Sequence, residues 1–227
     1  MRAARQAAPD DSPTLRTPGR VDYAQAFRAM QDFTAARGPQ TPDEIWLLEH
    51  PPVFTMGLKG RGGTRTDIGG IPLVYIDRGG DITYHGPGQL VAYILMDLPR
   101  RGWGPKRLVT ALEQAVIDLL AGHGIRGERR AGAPGVYTTR GKIASLGLRV
   151  KQGRSYHGLA LNIDMDLAPF SLIDPCGYPG QAVTQLADLG VHADLETIGR
   201  ELAAKLAAGL GYTGWRPSAD QAPFGNP

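Results

Sequence analysis

The single cysteine of this chain, Cys176, stands in SLIDPCGYPGQAVTQL (Ser171 to Leu186), between Pro175 and Gly177, with Pro179 and Gly180 close behind. A thiol kept for packing behaves as a small hydrophobe on a strand or helix. Neither element accepts a Pro-Cys-Gly turn. The chemistry such a thiol offers is nucleophilic attack by its thiolate. At an unperturbed pKa of about 8.5, only a few per cent is ionised at neutral pH, so the role requires a neighbouring cation or base. Five histidines and many lysines and arginines are available, and spacing does not choose among them. Taken alone, the thiol also fits an inert, partly buried side chain.

A second constellation is RGGDITYHGPGQLVAY, from Arg78 to Tyr93. Glycine pairs let a backbone approach a ligand closely, so that peptide N–H groups can face a carbonyl or phosphate oxygen. Arg78 and His85 could add charge or hydrogen bonds. The same residues also fit a glycine-rich hairpin whose polar side chains satisfy neighbouring carbonyls.

This stretch resembles the signature of the lipoyl(octanoyl) transferases. That signature runs R-G-G, two residues, T, an aromatic, H, two residues, G-Q, then Y. Arg78, Gly79, Gly80, Thr83, Tyr84, His85, Gly88, Gln89 and Tyr93 match it. The similarity continues in LLEHPPVFTMG (Leu47 to Gly57), GKIASLGLRV (Gly141 to Val150), YHGLALNID (Tyr156 to Asp164), and PCG followed by VTQL. Ordered blocks over most of residues 21–190 are far more specific than a lone glycine motif.

The resemblance implies transfer of an octanoyl group from octanoyl-acyl carrier protein to a lysine. The acceptors are the apo-lipoyl domains of dehydrogenase complexes or the glycine-cleavage carrier protein. It implies a fold shared with biotin and lipoate protein ligases. It places the acyl-accepting thiol on Cys176 and a paired lysine on Lys142. Substrate contacts fall on Arg78, Gly79, Gly80, Asp81, Ile82, Thr83, Tyr84 and His85, on Ser145, Leu146 and Gly147, and on Gly158, Leu159 and Ala160. No metal or cofactor is implied. His85 either shapes the acyl site or is structural, and only the resemblance ranks Lys142 above His85 and His157 as the partner of the thiol.

The chemistry agrees with that assignment. Thiolate attack on a thioester exchanges one thioester for another, and splitting the transfer lets two carriers dock in turn. An adjacent ammonium favours the thiolate. For Lys142 to give and take protons it must be partly desolvated. Leu146, Leu148 and Leu159 could line an apolar slot or belong to the core. Burial of the acyl tail contributes about 0.8 kcal/mol per methylene. The loop from Lys59 to Arg65 is either solvated or faces an acidic carrier. An ATP-dependent lipoate or biotin ligase needs no nucleophilic thiol, so Cys176 argues against that alternative. A non-catalytic carrier-binding module would not need Cys176 and Lys142.

These residues need elements to position them. VDYAQAFRAMQDFTAAR (Val21 to Arg37) reads as an amphipathic helix with Asp22 as its cap, and KRLVTALEQAVIDLLAGHG (Lys106 to Gly124) as a second. A third starts near Asp194 and runs through LETIGRELAAKLAAGL. EIWLLEH, PLVYIDR, DITYH, QLVAYILMDL and RSYHGLALNIDMDL read as strands, and GVYTTRGKIASLGLRV as a hairpin turning at Arg140–Gly141. Several neighbouring strands are joined by short turns. An α+β fold is therefore expected, a mixed, largely antiparallel sheet flanked by helices, with one catalytic domain over residues 21–213. Residues 1–20 and 214–227 read as flexible tails.

The 227 residues are 42% hydrophobic and 21% charged, as in soluble globular proteins, while 31 glycines are about twice the usual share. One cysteine cannot form an internal disulfide, which fits a reducing cytoplasm. There is no signal-peptide pattern and no membrane-length apolar run. A net charge of +3 without a basic, aromatic-interleaved block gives no nucleic-acid signature and suits an acidic protein partner.

Overall fold

The computed structural model of the chain describes residues 12–60, 62–173, 182–219 and 224. Cys176, the expected nucleophile, lies outside them. In chain order the elements are β1 (Thr14–Arg20), α1 (Tyr23–Ala36), β2 (Glu44–Glu49), β3 (Val53–Met56), β4 (Asp67–Ile68), β5 (Ile71–Tyr75) and β6 (Ile82–His85). There follow β7 (Gln89–Leu95), α2 (Pro105–Gly122), β8 (Gly135–Thr138), β9 (Gly141–Lys151), β10 (Arg154–Asn162), α3 (Leu195–Gly209) and β11 (Arg216–Pro217).

The large sheet has the order β11-β1-β2-β7-β10-β9-β8. Its outer pairs β11–β1 and β1–β2 are parallel, and the remaining pairs are antiparallel. Successive strand side chains point to opposite faces. On one face Ile45, Leu47, Leu90, Ala92, Ile94, Leu159 and Leu161 pack against the stripes of α2 and α3. On the other, Trp46, Leu48, Val91, Tyr93, Tyr156 and Ala160 meet Ala26, Ala29 and Met30 of α1. Covered on both faces, β2 and β7 read as unbroken apolar runs. A smaller sheet, β4-β5-β3-β6, stands beside the α1 face over a cluster built on Phe54, Tyr84, Met165 and Phe170. The β5–β6 connection carries the Arg78–Asp81 loop to the large sheet.

The helices start where local chemistry directs. Asp22 accepts from the Gln25 N–H at 3.1 Å and Asp194 from the Thr197 N–H at 2.6 Å, each side chain satisfying an orphan donor of the first turn. α2 starts at Pro105 after Gly104, where the missing proline N–H costs nothing.

Two expectations need correction. Thr14–Arg20, expected in a flexible tail, is a strand. Arg16 makes a two-pronged ion pair with Glu44 at 2.7 and 2.8 Å, and Pro18–Gly19 falls at a register shift against β2, where the broken ladder tolerates proline. At the other end Arg216–Pro217 pairs with β1, and Phe224 packs edge-on against Trp46 at 4.9 Å. Single aromatic anchors of this kind leave no periodic trace in sequence.

Candidate active site

The candidate site is a trough on the α1 face of β7, β10 and β9. Gly147 lies opposite Gly158, which lies opposite Tyr93; in the next row Ser145 faces Ala160, which faces Val91. Side chains are small or missing where the strands meet, leaving a hollow with a cavity volume of about 50 Å³ that opens to solvent. Its walls include Arg78, Gly80 and Asp81 from the β5–β6 loop and Ile82, Thr83 and His85 from β6. Ser145, Leu146, Gly147, Gly158, Leu159 and Ala160 come from β9 and β10, and Lys142 lines it as well. Tyr23, Val91, Tyr93 and His157 complete the lining.

Two expected contact residues sit elsewhere. The Gly79 N–H donates to the Leu148 carbonyl at 2.9 Å, on the edge of β9. Tyr84 turns into the small-sheet core between Phe54 and Phe170, with ring centroids 5.3 and 5.5 Å away. The three leucines considered for an acyl slot follow strand alternation instead. Leu159 is buried beneath α2 and α3, and Leu146 and Leu148 pack against the same core, so their side chains leave the trough to glycine, serine and alanine.

Arg78 is consumed by architecture. Its guanidinium donates to the carbonyls of Gly79 at 3.1 Å, Asp81 at 2.8 Å and Thr55 at 2.8 Å, and to the Thr55 hydroxyl at 2.9 Å. It fixes the loop whose peptides face the trough. Gly57 is required beneath that loop, because a Cβ there would stand 2.5 Å from the Gly80 carbonyl.

Behind the trough lies a polar floor without charge. Gln89 Nε2 donates to the Tyr84 carbonyl at 3.2 Å and to Asn162 Oδ1 at 2.9 Å. Its oxygen must therefore accept from His85 Nδ1–H at 2.7 Å. His85 Nε2 is left as an acceptor, 3.4 Å from the Thr55 hydroxyl. Burial, reinforced by neighbouring His50, pushes the His85 pKa down to about 3. His50 donates Nδ1–H to the Val21 carbonyl at 2.6 Å and accepts from the Tyr93 hydroxyl at 2.7 Å; burial lowers its pKa to about 4. Burial raises Tyr23 to about 12. All three are neutral near pH 7.

His157 departs from the strand pattern. Paired with Leu148, it would by alternation face the helix side. Its φ of 59° instead turns the ring to the α1 side, where it stacks on Phe27 at 5.4 Å and Tyr156 at 5.0 Å. Its N–H goes to Met30 Sδ at 3.4 Å and its Nε2 meets Asp77 Oδ1 at 3.0 Å. Nδ1 is buried with no hydrogen-bond partner among the described residues. Burial lowers the imidazole's pKa. Burial also pushes Asp77 up, but hydrogen bonds from His157 and Tyr156 outweigh it and leave that carboxyl lowered. The next residue must be glycine, since a Cβ at Gly158 would lie 2.0 Å from the Ala92 carbonyl.

Lys142, 3% exposed, occupies the other end of β9. Gly135 makes room for it: a Cβ there would sit 2.6 Å from Lys142 Cε. Nζ stands 5.4 Å from the centre of the Tyr137 ring. The Lys142 backbone is gripped by the segment that follows Cys176 in sequence. Its N–H donates to the Ala182 carbonyl at 2.8 Å and its carbonyl accepts from the Thr184 N–H at 3.0 Å. Gly141 permits this, with φ 138° and a Cβ position only 2.5 Å from the Ala182 carbonyl. Asn162 Nδ2 donates to the Thr184 carbonyl at 3.0 Å, which joins Thr184, Asn162, Gln89 and His85 in one hydrogen-bonded chain.

Sequence reasoning gave no site role to Tyr23, His50, Asp77, Tyr93 and Asn162. Tyr93 is a signature position, and His50 and Asn162 stood inside matched blocks; that was their only signal. Tyr23 looks like an ordinary helix residue until the fold brings it to the trough. Among the described residues no group of His, Cys, Asp and Glu could hold a metal ion, and no helix is long and apolar enough to cross a membrane.

Comparison with known proteins matches residues 22–207 to the family "Lipoyl protein ligase A/B catalytic domain". A curated relative from Aromatoleum aromaticum, named "Octanoyltransferase", is 56% identical over 215 residues, 93% of each chain. A solved lipoate-protein ligase A bound with ATP superposes with a TM-score of 0.73 at 12% identity, covering 92% of this chain and 90% of that one. The biotin protein ligase of Aquifex aeolicus in complex with biotin and ATP does so with 0.57 at 13% identity, covering 87% and 70%. At such identities the last two show a shared fold.

Proposed function

The chain belongs to the family of the lipoyl protein ligase A/B catalytic domain, and on that premise we propose how its trough performs the transfer. The chain is an octanoyltransferase, moving an octanoyl group from a donor to a lipoyl-domain lysine. We infer that the donor is octanoyl-acyl carrier protein. The acceptors are apo-lipoyl domains of dehydrogenase complexes or the glycine-cleavage carrier protein, and the reaction runs in the cytoplasm without a cofactor.

Lys142 takes the proton of Cys176, and the thiolate attacks the donor's thioester carbonyl. The new C–S bond forms as the carrier's C–S bond breaks, and the departing thiolate receives the proton from Lys142. In the second half the acceptor amine attacks the acyl-cysteine. Its proton passes to Lys142, and Cys176 leaves as a thiolate, ready for the next donor. The acyl chain lies along the trough, over Gly147, Gly158 and Ala160. Gly80 and Asp81 offer peptide groups toward the reacting carbonyl.

One observation carries this reading: Lys142, buried at the trough, is tied through its own peptide to Ala182 and Thr184. Six residues separate Cys176 from Ala182 in sequence, a span of at most about 20 Å, and this bound supports pairing the thiol with the lysine without fixing their distance.

Intact-mass analysis after mixing with octanoyl-carrier is the test. An octanoyl adduct on Cys176 that disappears on adding apo-lipoyl domain is expected, and none with Cys176→Ser. Carrier binding without any gain in mass would remove the reading. Acceptor labelling from free octanoate, ATP and Mg²⁺ that survives Cys176→Ser would assign an ATP-dependent ligase instead.

A further inference from the structure

A second hollow runs beside the trough. It has a cavity volume of about 640 Å³ and shares Gly80, Asp81, Leu146 and Gly147 with the trough. Lys59 and Gly79 form one bank, Val109 of α2 and Pro134 the other, with Leu148 and Val150 of β9 between them. Building on the transferase reading, we propose that this groove seats the amide-bearing thioester arm on which a carrier protein presents the octanoyl group. The acyl group then crosses into the trough at the notch formed by Leu146 and Gly147.

Three features select that occupant. The groove follows β9 from Leu146 to Val150, about 13 Å at strand rise, which suits a thin, extended chain. Its banks offer Val109, Pro134, Leu148 and Val150 to the methylenes of such an arm. The sheet edge also offers an acceptor. β8 pairs with β9 only as far as Gly135 opposite Ser145; one step further in that register Pro134 faces Leu146, and proline has no N–H to donate. The Leu148 carbonyl is already taken by Gly79, whereas the ladder supplies no donor from Pro134 to the Leu146 carbonyl at the notch. A secondary amide in the arm is a donor of the right kind. Lys59, exposed on the rim, faces the acidic carrier that bears the arm. The acceptor's lysine stem has only four carbons and does not need the groove, so the groove serves the donor half-reaction.

The test is acylation of the enzyme by two thioesters, S-octanoyl-pantetheine with two amides and S-octanoyl-N-acetylcysteamine with a truncated arm, followed by intact mass. Wild type should prefer the longer arm at least tenfold in kcat/KM. Val109→Trp on one bank and Pro134→Trp on the other should each reduce that preference at least tenfold, and carrier-borne octanoyl should be affected like the longer arm. No preference in wild type, or a preference unmoved in a variant that melts near the wild-type temperature, overturns the proposal. Adduct formation from the truncated thioester reads the transferase chemistry independently. If wild type is acylated by neither thioester, that reading fails and the groove assignment falls with it.

Discussion

The Thr184 N–H donates to the Lys142 carbonyl at 3.0 Å, so the residue assigned to proton transfer and the chain leading from the assigned nucleophile share one peptide-level clasp. Gly141 makes that clasp possible. Gly141→Ala adds a Cβ at 2.5 Å from the Ala182 carbonyl on a backbone with φ 138°, a conformation costing about 1–3 kcal/mol for a non-glycine residue. A lower melting temperature and at least a tenfold slower octanoyl adduct are expected. A slower adduct with unchanged melting would place the effect on alignment alone, and an unchanged adduct rate would detach the clasp from catalysis.

Lys142→Arg separates charge from proton transfer. Guanidinium stays protonated in proteins, so it supports a thiolate but accepts no proton from an incoming amine. Acyl-enzyme should form more slowly, and onward transfer to the lipoyl domain should suffer more than acylation. Single-turnover measurement of both halves gives the comparison. Equal turnover to wild type would remove Lys142 from the mechanism.

The histidine floor makes stability acid-sensitive. His50 and His85 are pushed down to about 4 and about 3 when folded, and unfolding returns each to about 6.5. The stability their neutral forms contribute is fully present above about pH 6.5 and is lost as pH falls toward the folded values. Between pH 7 and 4.5 the loss should be about 2 kcal/mol for each. Denaturant melts at the two pH values should show it, and His50→Gln or His85→Gln should each flatten the slope. A slope unchanged in both variants would mean that the imidazoles charge freely in the folded state.

Much of this was legible before folding. β2 and β7 of the large sheet are unbroken apolar runs, and Asp22 and Asp194 cap helices where their spacing from the next apolar stripe placed them. What escaped has physical causes. β3 is a short segment between a proline pair and Gly57, and β1 carries charge, proline and glycine, so its pairing comes from Arg16–Glu44 rather than from alternation. The leucines at 146, 148 and 159 were read as a possible slot because sequence does not tell which sheet face a ligand takes. Arg78 looked like a substrate ligand, and only the positions of four acceptors reveal a staple.

His157 tests whether the strained backbone within β10 matters beyond its hydrogen bond. At φ 59°, asparagine is tolerated and β-branched residues are not. His157→Val should cost at least about 1–3 kcal/mol through backbone strain, while His157→Asn should fold with a smaller loss. Equal melting temperatures would show that the backbone relaxes freely there.

The trough itself sets a length limit on the acyl chain if that chain runs over Ala160. Ala160 is 4% exposed, lies between Ser145 and Val91 across the sheet, and lines the trough, so a larger side chain there takes up trough space. Ala160→Leu should therefore shorten the space available to the tail and shift preference from octanoyl toward hexanoyl thioesters. A methylene in an apolar pocket discriminates by about 1–3 kcal/mol, so the octanoyl-to-hexanoyl ratio of adduct formation should change by roughly tenfold or more. The comparison uses truncated thioesters of both lengths, which keeps the carrier arm out of the readout. An equal loss for both lengths would mean that the chain lies elsewhere on the sheet, and the row Ser145–Ala160–Val91 would then be packing alone.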